Sequence, residues 1–426
     1  MTKQILLRFG DLMLKGRNIG SFLRRIKDHV REKVSDLDVE VEAQHDRMFI
    51  GYRDKDERAV LERLSRIPGL MSYSIVYVTE PDFERIIDLA RRIIDREIEE
   101  DGVRFKIETK RADKSLPLNS QEITQKLAGP ILAGAKRRVV VDVRDPEEVL
   151  HIEIRKERAY LYLKTIPGLG GYPVGTLGKG LVMMSSGIDS PVSAFLAMKQ
   201  GIEVELFHFE STPMTPIESV QKVVDNARVL RRYAPKETIR LHLVPFRAIH
   251  SAILDYVPSP YTITVMRRMM YRLAERFVKK NRLLTIITGE SIGQVASQTL
   301  QSLKAIEVVT SFPIIRPLVT TDKTEIIRIA RMIGTFDIST RPFADCCSIY
   351  VPKQPATKPM HTFALRYERL FDYEALLEDS LEHIRTLSIG PSFELDFAGS
   401  GMAVEEVLGK DYNGSGDGDD HVETEP

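Results

Sequence analysis

Cysteine is scarce in this 426-residue chain: there are two, adjacent at Cys346 and Cys347. A disulfide framework is excluded, and the count fits a reducing, cytoplasmic compartment. No apolar run approaches the roughly 18 residues of a membrane span. The amino terminus has only Ile5 to Leu7 as an apolar run, too short for a secretory signal. No internal repeat and no sustained heptad run is present. Net charge is also missing, with 61 basic against 61 acidic residues. That balance hides an asymmetry. Residues 394–426 carry ten acidic residues and one Lys, and the rest of the chain is correspondingly basic. A basic body with an acidic tail allows a polyanionic partner without requiring one.

The chain is long enough for two to four domains at about 150 residues each, and its 43% apolar content supplies ordinary cores. Residues 1–75 read as a small α+β unit. It has strand-like Gln4 to Arg8, a helical stripe of Phe22, Leu23, Ile26, Val30 and Val34, and strand candidates Val39 to Ala43 and Arg47 to Tyr52. Residues 76–166 repeat the mixed pattern. Helices are expected at Phe83 to Glu100 and Ser120 to Ala133, strands at Phe105 to Lys110 and Val139 to Val143. A hairpin is expected from His151 to Arg155 and Ala159 to Thr165. Residues 167–180 hold six Gly and two Pro and read as a flexible linker. Gly178-Lys179 is not a Walker loop, since Pro173 stands where its first Gly is needed and Gly180 follows.

From Leu181 the pattern becomes β–α alternation. Strands are expected at Leu181 to Met184, Val204 to Phe209, Ile239 to Val244, Leu284 to Thr288 and Glu307 to Val309. Helices are expected at Pro191 to Gln200, Ile217 to Ala234, Thr262 to Lys280, Gln294 to Leu303 and Lys323 to Ile333. Such alternation argues a parallel, doubly wound sheet, which binds ligands beyond the carboxyl ends of its strands. The terminal stretch 411–426 is polar and acidic and reads as disordered.

The chemistry concentrates in LVMMSSGIDSP, Leu181 to Pro191. A buried strand runs into a loop of small residues. Ser190 is expected to cap the next helix, with Pro191 at its first position. Free backbone N–H groups and a helix N-terminus then converge on one point, which suits a phosphate. Asp189 adds a carboxylate that needs Mg²⁺ or a basic side chain beside it. By themselves these residues fit an ordinary strand–turn–helix equally well.

Ser185 to Pro191 resembles the pyrophosphatase (PP) loop of ATP-dependent adenylating enzymes, with Ser186-Gly187 where that pattern usually has Gly-Gly. Arg8 to Asp11, Leu14 to Asn18, Glu108 to Ser115, Pro117 to Ser120, Thr264 to Met270, Thr288 to Leu300, Arg316 to Leu318 with Asp322-Lys323, and Asp345 to Pro359 are similar to the tRNA 4-thiouridine synthetase family. The likeness runs in order from residue 3 to about 392. It implies a ferredoxin-like domain (1–75), an RNA-binding THUMP domain (76–166), the Gly-rich linker, a PP-loop ATP pyrophosphatase domain (181–392) and an acidic tail (393–426).

The resemblance further implies ATP and Mg²⁺ as cofactors, and thiolation of uridine at position eight of tRNA. Some relatives also supply sulfur for thiamine's thiazole. The ATP contacts it implies are Met183, Met184, Ser185, Ser186, Gly187, Ser190, His208, Phe209, Arg267, Gly289 and Gln298. Asp189, Lys323 and the Cys346–Cys347 pair are the implied catalytic groups. Arg111, Lys114, Lys136, Arg137 and Arg138 are candidate RNA-phosphate contacts. Expected partners are tRNA, a cysteine desulfurase or other sulfur donor, a sulfur-carrier protein and a second copy of the chain. No membrane contact is expected.

Each residue has a local reading as well. Asp322 and Glu325 have capping-box spacing. Lys323 opposes the helix dipole unless an anion is near. On the helix from Thr262, Met266, Met269, Met270, Leu273 and Phe277 form the packing stripe, with Arg267 and Arg268 off it. His208 suits a core as well as a pocket, and the two Cys suit packing. Only 34 residues follow Ser392, without Cys, so a rhodanese domain is not expected there. Two Cys are too few for three ligands of an iron–sulfur cluster. Two other functions compete: another adenylating PP-loop enzyme with a different acceptor, and an inactive tRNA-binding relative.

Overall fold

The computed structural model describes residues 3–10, 19–44, 47–112, 115–343, 345, 352 and 354–409. The chain divides into two compact units, Met1–Gly171 and Tyr172–Pro426.

The first unit is built on one nine-stranded sheet. Its strands are β1 (Lys3–Arg8), β2 (Val39–Ala43), β3 (Arg47–Tyr52), β4 (Ser72–Thr79), β5 (Arg104–Arg111), β6 (Val140–Val141), β7 (Glu148–Ile154), β8 (Ala159–Tyr162) and β9 (Ile166–Pro167). The order is β2-β3-β1-β4-β8-β7-β5-β6, with β9 also pairing β4. The 75/76 junction lies inside β4, which pairs β1 on one side and β8 on the other, both antiparallel. Helices α1 (Ile19–Lys33), α2 (Glu57–Leu64), α3 (Phe83–Glu97) and α4 (Ser120–Gly134) complete the unit. Ile86, Leu89, Ile93 and Ile94 recur at helical spacing on α3 and are buried with Ile123, Leu127 and Ile131 of α4. Asn119 and Glu122 close a full capping box on α4.

The second unit carries a six-stranded sheet in the order β14-β13-β10-β11-β12-β15. These strands are β10 (Lys179–Met183), β11 (Glu203–Glu210), β12 (Ile239–Pro245), β13 (Thr285–Ile287), β14 (Ile314–Ile315) and β15 (Arg385–Ile389). The first five are parallel and β15 is antiparallel to β12. Its helices include α5 (Asp189–Lys199), α6 (Ile217–Leu230), α7 (Arg247–Tyr256), α8 (Thr262–Lys280), α9 (Leu300–Glu307) and α10 (Lys323–Ile333). The chain adds strands on one side of β10 up to β12 and then returns to its other side with β13. This reversal is a topological switch point, so the carboxyl end of β10 is the expected ligand site. The stripe Met266, Met269, Met270, Leu273 and Phe277 of α8 is buried in the core of this unit. No helix among the described residues is long and apolar enough to cross a membrane.

Several local expectations give way. The sheet is mixed, because β15 closes its edge antiparallel to β12. Glu307 ends α9 rather than starting a strand, since Leu303 and Ile306 form that helix's buried face. The edge strand is Ile314–Ile315 instead. The helix expected from Gln294 is a single 3₁₀ turn, Ala296–Gln298, followed by α9 with Thr299 as its cap. Val139 to Val143 contributes only two strand residues. Each side of the Gly-rich stretch is hydrogen-bonded within its own unit. Pro167 pairs with β4, the Tyr172 N–H reaches the Lys199 carbonyl at 2.9 Å, and Lys179-Gly180 opens β10. Arg268, placed off the α8 stripe by its polarity, is fully buried and ion-paired with the equally buried Glu368. Its charge is matched, so burial is tolerated.

Candidate active site

Strand β10 delivers Met183 and Met184 to the carboxyl edge of the sheet, and the Met184 N–H bonds the Phe207 carbonyl at 2.8 Å. The loop that follows is held by its own serines. Ser190 Oγ accepts the Ser185 N–H at 2.9 Å and donates to the Ser185 carbonyl at 3.0 Å. Ser190 therefore braces the loop and does not cap α5. That helix starts at Asp189, with Ile188 as an N-cap lacking a side-chain bond, and Pro191 is its third residue. The reason is geometric: a hydroxyl already engaged with residue 185 cannot turn back to the helix's first N–H groups.

The loop's backbone donors are not all free, as the sequence reading assumed. The buried Ser186 gives its N–H to Asp345 Oδ2 at 2.6 Å and its hydroxyl to Asp345 Oδ1. Asp189 is held from two directions. Lys323 Nζ at the start of α10 donates to Oδ1 at 2.6 Å, and Gln294 Nε2 donates to Oδ2 at 3.0 Å. The anion that Lys323 needs in a first helical turn is thus Asp189. The expected capping box at that turn does not form. Asp322 makes no side-chain cap bond, and Glu325 is taken by Arg328 at 2.7 Å.

Thr288 and Gly289 follow β13. Ser193 Oγ of α5 donates to the Thr288 carbonyl at 2.8 Å. A Cβ on Gly289 would stand 2.8 Å from Ser190 N and 2.9 Å from the Asp189 carbonyl carbon. Gly is required there because the chain passes directly over the start of α5. A Cβ on Gly187 would meet only Ser185 Oγ, at 3.5 Å. Gly289→Ala is therefore expected to lose about 1–3 kcal/mol of stability by overpacking, and Gly187→Ala about 0.5 kcal/mol or less. Chemical denaturation of the two variants checks the contrast; equal midpoints would refute the close approach.

These elements enclose a cavity of about 620 Å³, within the usual range for small-molecule sites. All eleven residues expected to touch the nucleotide line it: Met183, Met184, Ser185, Ser186, Gly187, Ser190, His208, Phe209, Arg267, Gly289 and Gln298. Asp189 lines it too, and Lys323 joins through Asp189. His208 is buried, and its Nδ1–H donates to the Met184 carbonyl at 2.9 Å. Burial pulls its pKa below the ordinary value, with the Asp345 carboxylate pulling the other way. The ring is neutral at pH 7, with Nε2 as an acceptor.

Glu290 was not foreseen as a site residue. Its buried carboxylate accepts Arg267, Arg316 Nε at 2.8 Å, Tyr271 Oη at 3.1 Å and Thr288 Oγ1 at 3.1 Å. Burial alone would raise its pKa, but the two guanidinium groups outweigh that and hold it below the ordinary carboxylate range. Glu290 thereby sets the position of Arg267 on the cavity wall. Lys222, Phe343 and Asp345 also line the cavity and were missed. Lys222 is buried on α6, and its ammonium donates to the carbonyls of Arg341 at 2.9 Å and Phe343 at 2.8 Å. A Lys on a helix carries no sequence signal for such a role. Asp345 and Glu290 lie in stretches already noted for resemblance, which was the available signal.

Cys346, Cys347 and Lys114 lie outside the described residues, as do Leu14 to Asn18 and the acidic stretch 411–426. The remaining RNA candidates do not form one patch. Arg111 closes β5, and its guanidinium donates to the carbonyls of Leu116 at 2.7 Å and Leu118 at 3.3 Å. Lys136, Arg137 and Arg138 precede β6, which pairs with the opposite end of β5 at Arg104 and Phe105. Seven strand steps separate the two ends, roughly 23 Å. Asp95 and Asp101 accept the backbone N–H groups of residues 136–138 and hold that turn.

The fold and the cavity define a doubly wound α/β protein with a serine-braced loop, an aspartate–lysine pair and a pocket of small-molecule size at its switch point. Family models place the same parts along the chain. The "Thiamine biosynthesis protein (ThiI)" model matches residues 175–371, the ThiI ferredoxin-like domain 4–74 and the THUMP domain 80–164. A probable tRNA sulfurtransferase of Acholeplasma laidlawii is 52% identical over 408 residues, covering 96% of this chain and 98% of the relative. One from Anoxybacillus flavithermus is 40% identical, covering 92% and 98%. A solved 4-thiouridine synthetase, crystallised with RNA and bound ATP, superposes with a TM-score of 0.82 at 33% identity, covering 91% of this chain and all of that one. The chain belongs to the tRNA sulfurtransferase family. It carries that family's ferredoxin-like, THUMP and PP-loop domains.

Proposed function

We propose that this protein uses ATP to adenylate the C4 oxygen of uridine at position eight of tRNA and then replaces that oxygen with sulfur. The observation that carries the reading is the Lys323–Asp189 pair, 2.6 Å apart, at the mouth of a loop that lines the 620 Å³ cavity. Uracil's C4 oxygen is a poor leaving group. Bonding it to the α-phosphorus of ATP expels pyrophosphate and makes it a good one. A persulfide sulfur then attacks C4 and AMP leaves; a thiol reductant cleaves the remaining S–S bond.

In this reading the Ser185 to Ser190 loop binds phosphate oxygens through the N–H groups opening α5. Lys323 stabilises charge as it develops there. His208, Phe209, Arg267, Gly289 and Gln298 line the nucleoside end. Asp189 would hold Mg²⁺ through the lone pairs that Lys323 and Gln294 leave on its carboxylate, since that ion takes one or two carboxylates plus substrate phosphates. Bound there, the ion would neutralise phosphate charge. Cys346 or Cys347 carries the sulfur, delivered by a cysteine desulfurase or another donor such as a sulfur-carrier protein.

The same reading assigns residues 1–75 and 76–166 to tRNA positioning, with Arg111, Lys114 and Lys136 to Arg138 as phosphate contacts. It makes 167–180 the connection, 181–392 the catalytic domain and 393–426 an acidic appendage. It also includes a cytoplasmic homodimer and a second use of the sulfur in thiazole synthesis. The test is mass spectrometry of tRNA incubated with enzyme, ATP and a sulfide source. A gain of sulfur at uridine eight that depends on ATP is expected. ATP cleavage with unmodified tRNA would redirect the reading to another acceptor.

A further inference from the structure

Ser186 stands where the loop pattern usually has Gly, and its side chain has an unexpected partner. Asp345 lies 159 residues away in sequence, immediately before Cys346. Both of its carboxylate oxygens are committed to Ser186, one to the backbone N–H at 2.6 Å and one to the hydroxyl. The two residues are 2% and 8% exposed, so the bonds are shielded from water. The stretch leading to Asp345 is anchored too. Lys222 holds the carbonyls of residues 341 and 343, and Arg341 pairs with Asp225 of α6. The charge of Asp345 is balanced by Lys222, whose own pKa burial lowers and Asp345 raises.

We propose that Ser186 and Asp345 are positioning residues that couple the two halves of the reaction. They pin the residue preceding the cysteine pair to the loop that receives the phosphates. The uridine is then adenylated where sulfur can reach it. This deepens the function proposed above and rests on it. The contact is specific: a Gly at position 186 would leave one bond where the serine makes two. Carboxylate bonds to a hydroxyl and an N–H are of the strong, charge-assisted kind.

Uncoupling has a defined chemical consequence. When sulfur arrives late, water attacks the adenylated intermediate, the C4–O–P linkage opens, and uridine and AMP are regenerated. Pyrophosphate is then released without a thiouridine being formed. The readout is the ratio of pyrophosphate released to 4-thiouridine made, measured with the full-length enzyme, tRNA, ATP, a desulfurase and cysteine.

In Ser186→Ala and Asp345→Asn the ratio is expected to rise about tenfold, the worth of one charge-assisted hydrogen bond, and in Asp345→Ala, which loses both bonds, by more. A role confined to loop folding would lower both products together and leave the ratio unchanged. Ser186→Ala removes only a hydroxyl, so it keeps the test valid if Asp345→Ala does not fold. An unchanged ratio in Ser186→Ala and Asp345→Asn overturns the proposal, as does a fall of pyrophosphate release larger than that of thiolation. Failure of the wild-type enzyme to thiolate tRNA at all would instead sink the function on which the proposal rests.

Discussion

Replacing both Cys346 and Cys347 with Ser is expected to abolish 4-thiouridine formation driven by a cysteine desulfurase, while tRNA-dependent pyrophosphate release continues. A thiolate is the competent carrier of sulfur, and a hydroxyl of much higher pKa is not. The expected loss is therefore at least about a hundredfold. ATP cleavage survives because the loop from Ser185 to Ser190, Asp189 and Lys323 contains no thiol. The single replacements separate the carrier from its neighbour. The measurement is nucleoside analysis of tRNA after a desulfurase-driven reaction. Wild-type thiouridine yield from the double variant would return both cysteines to core packing.

Asp189→Ala and Lys323→Ala are expected to slow pyrophosphate release by about a hundredfold each, the scale of removing one preorganised charge from a transition state. Folding should be nearly unaffected. The Lys323 side chain is 42% exposed and that of Asp189 21%. A partly exposed ion pair contributes about 0–1 kcal/mol, too little to unfold a domain whose core includes α8 and the six-stranded sheet. Equal thermal midpoints with a large rate loss would therefore assign the pair to chemistry. A release rate equal to wild type in either variant would remove that residue from it.

The candidate site was legible in the sequence because much of it is contiguous. Residues 183–190 form one strand end, one loop and one helix start, so local geometry brings them together wherever the unit folds. The same holds for Thr288-Gly289, a second strand end beside the first. What local reading misjudged was the use of side chains inside these motifs. Ser190 looked like a cap and is a brace across the loop. The loop's N–H groups were read as free, and that of Ser186 is taken by Asp345. Asp322 and Glu325 had capping spacing, but Arg328 took Glu325. In each case a competing partner decided the outcome, and partners are set by packing.

Periodicity and turn chemistry already dictated the β–α alternation, the stripes of α1 and α8 and the strand–loop–helix at Met184 to Pro191, because each depends on residues within a few turns of one another. The folded chain alone decided that β15 closes the sheet antiparallel and that one sheet runs through β4. It also decided that Lys222, Glu290 and Asp345 line the cavity. Lys222 reaches a carbonyl 119 residues away and Asp345 a loop 159 residues away. No local pattern encodes such distances; they follow from the sheet order that brings α6, the β10 loop and the segment before Cys346 to one edge.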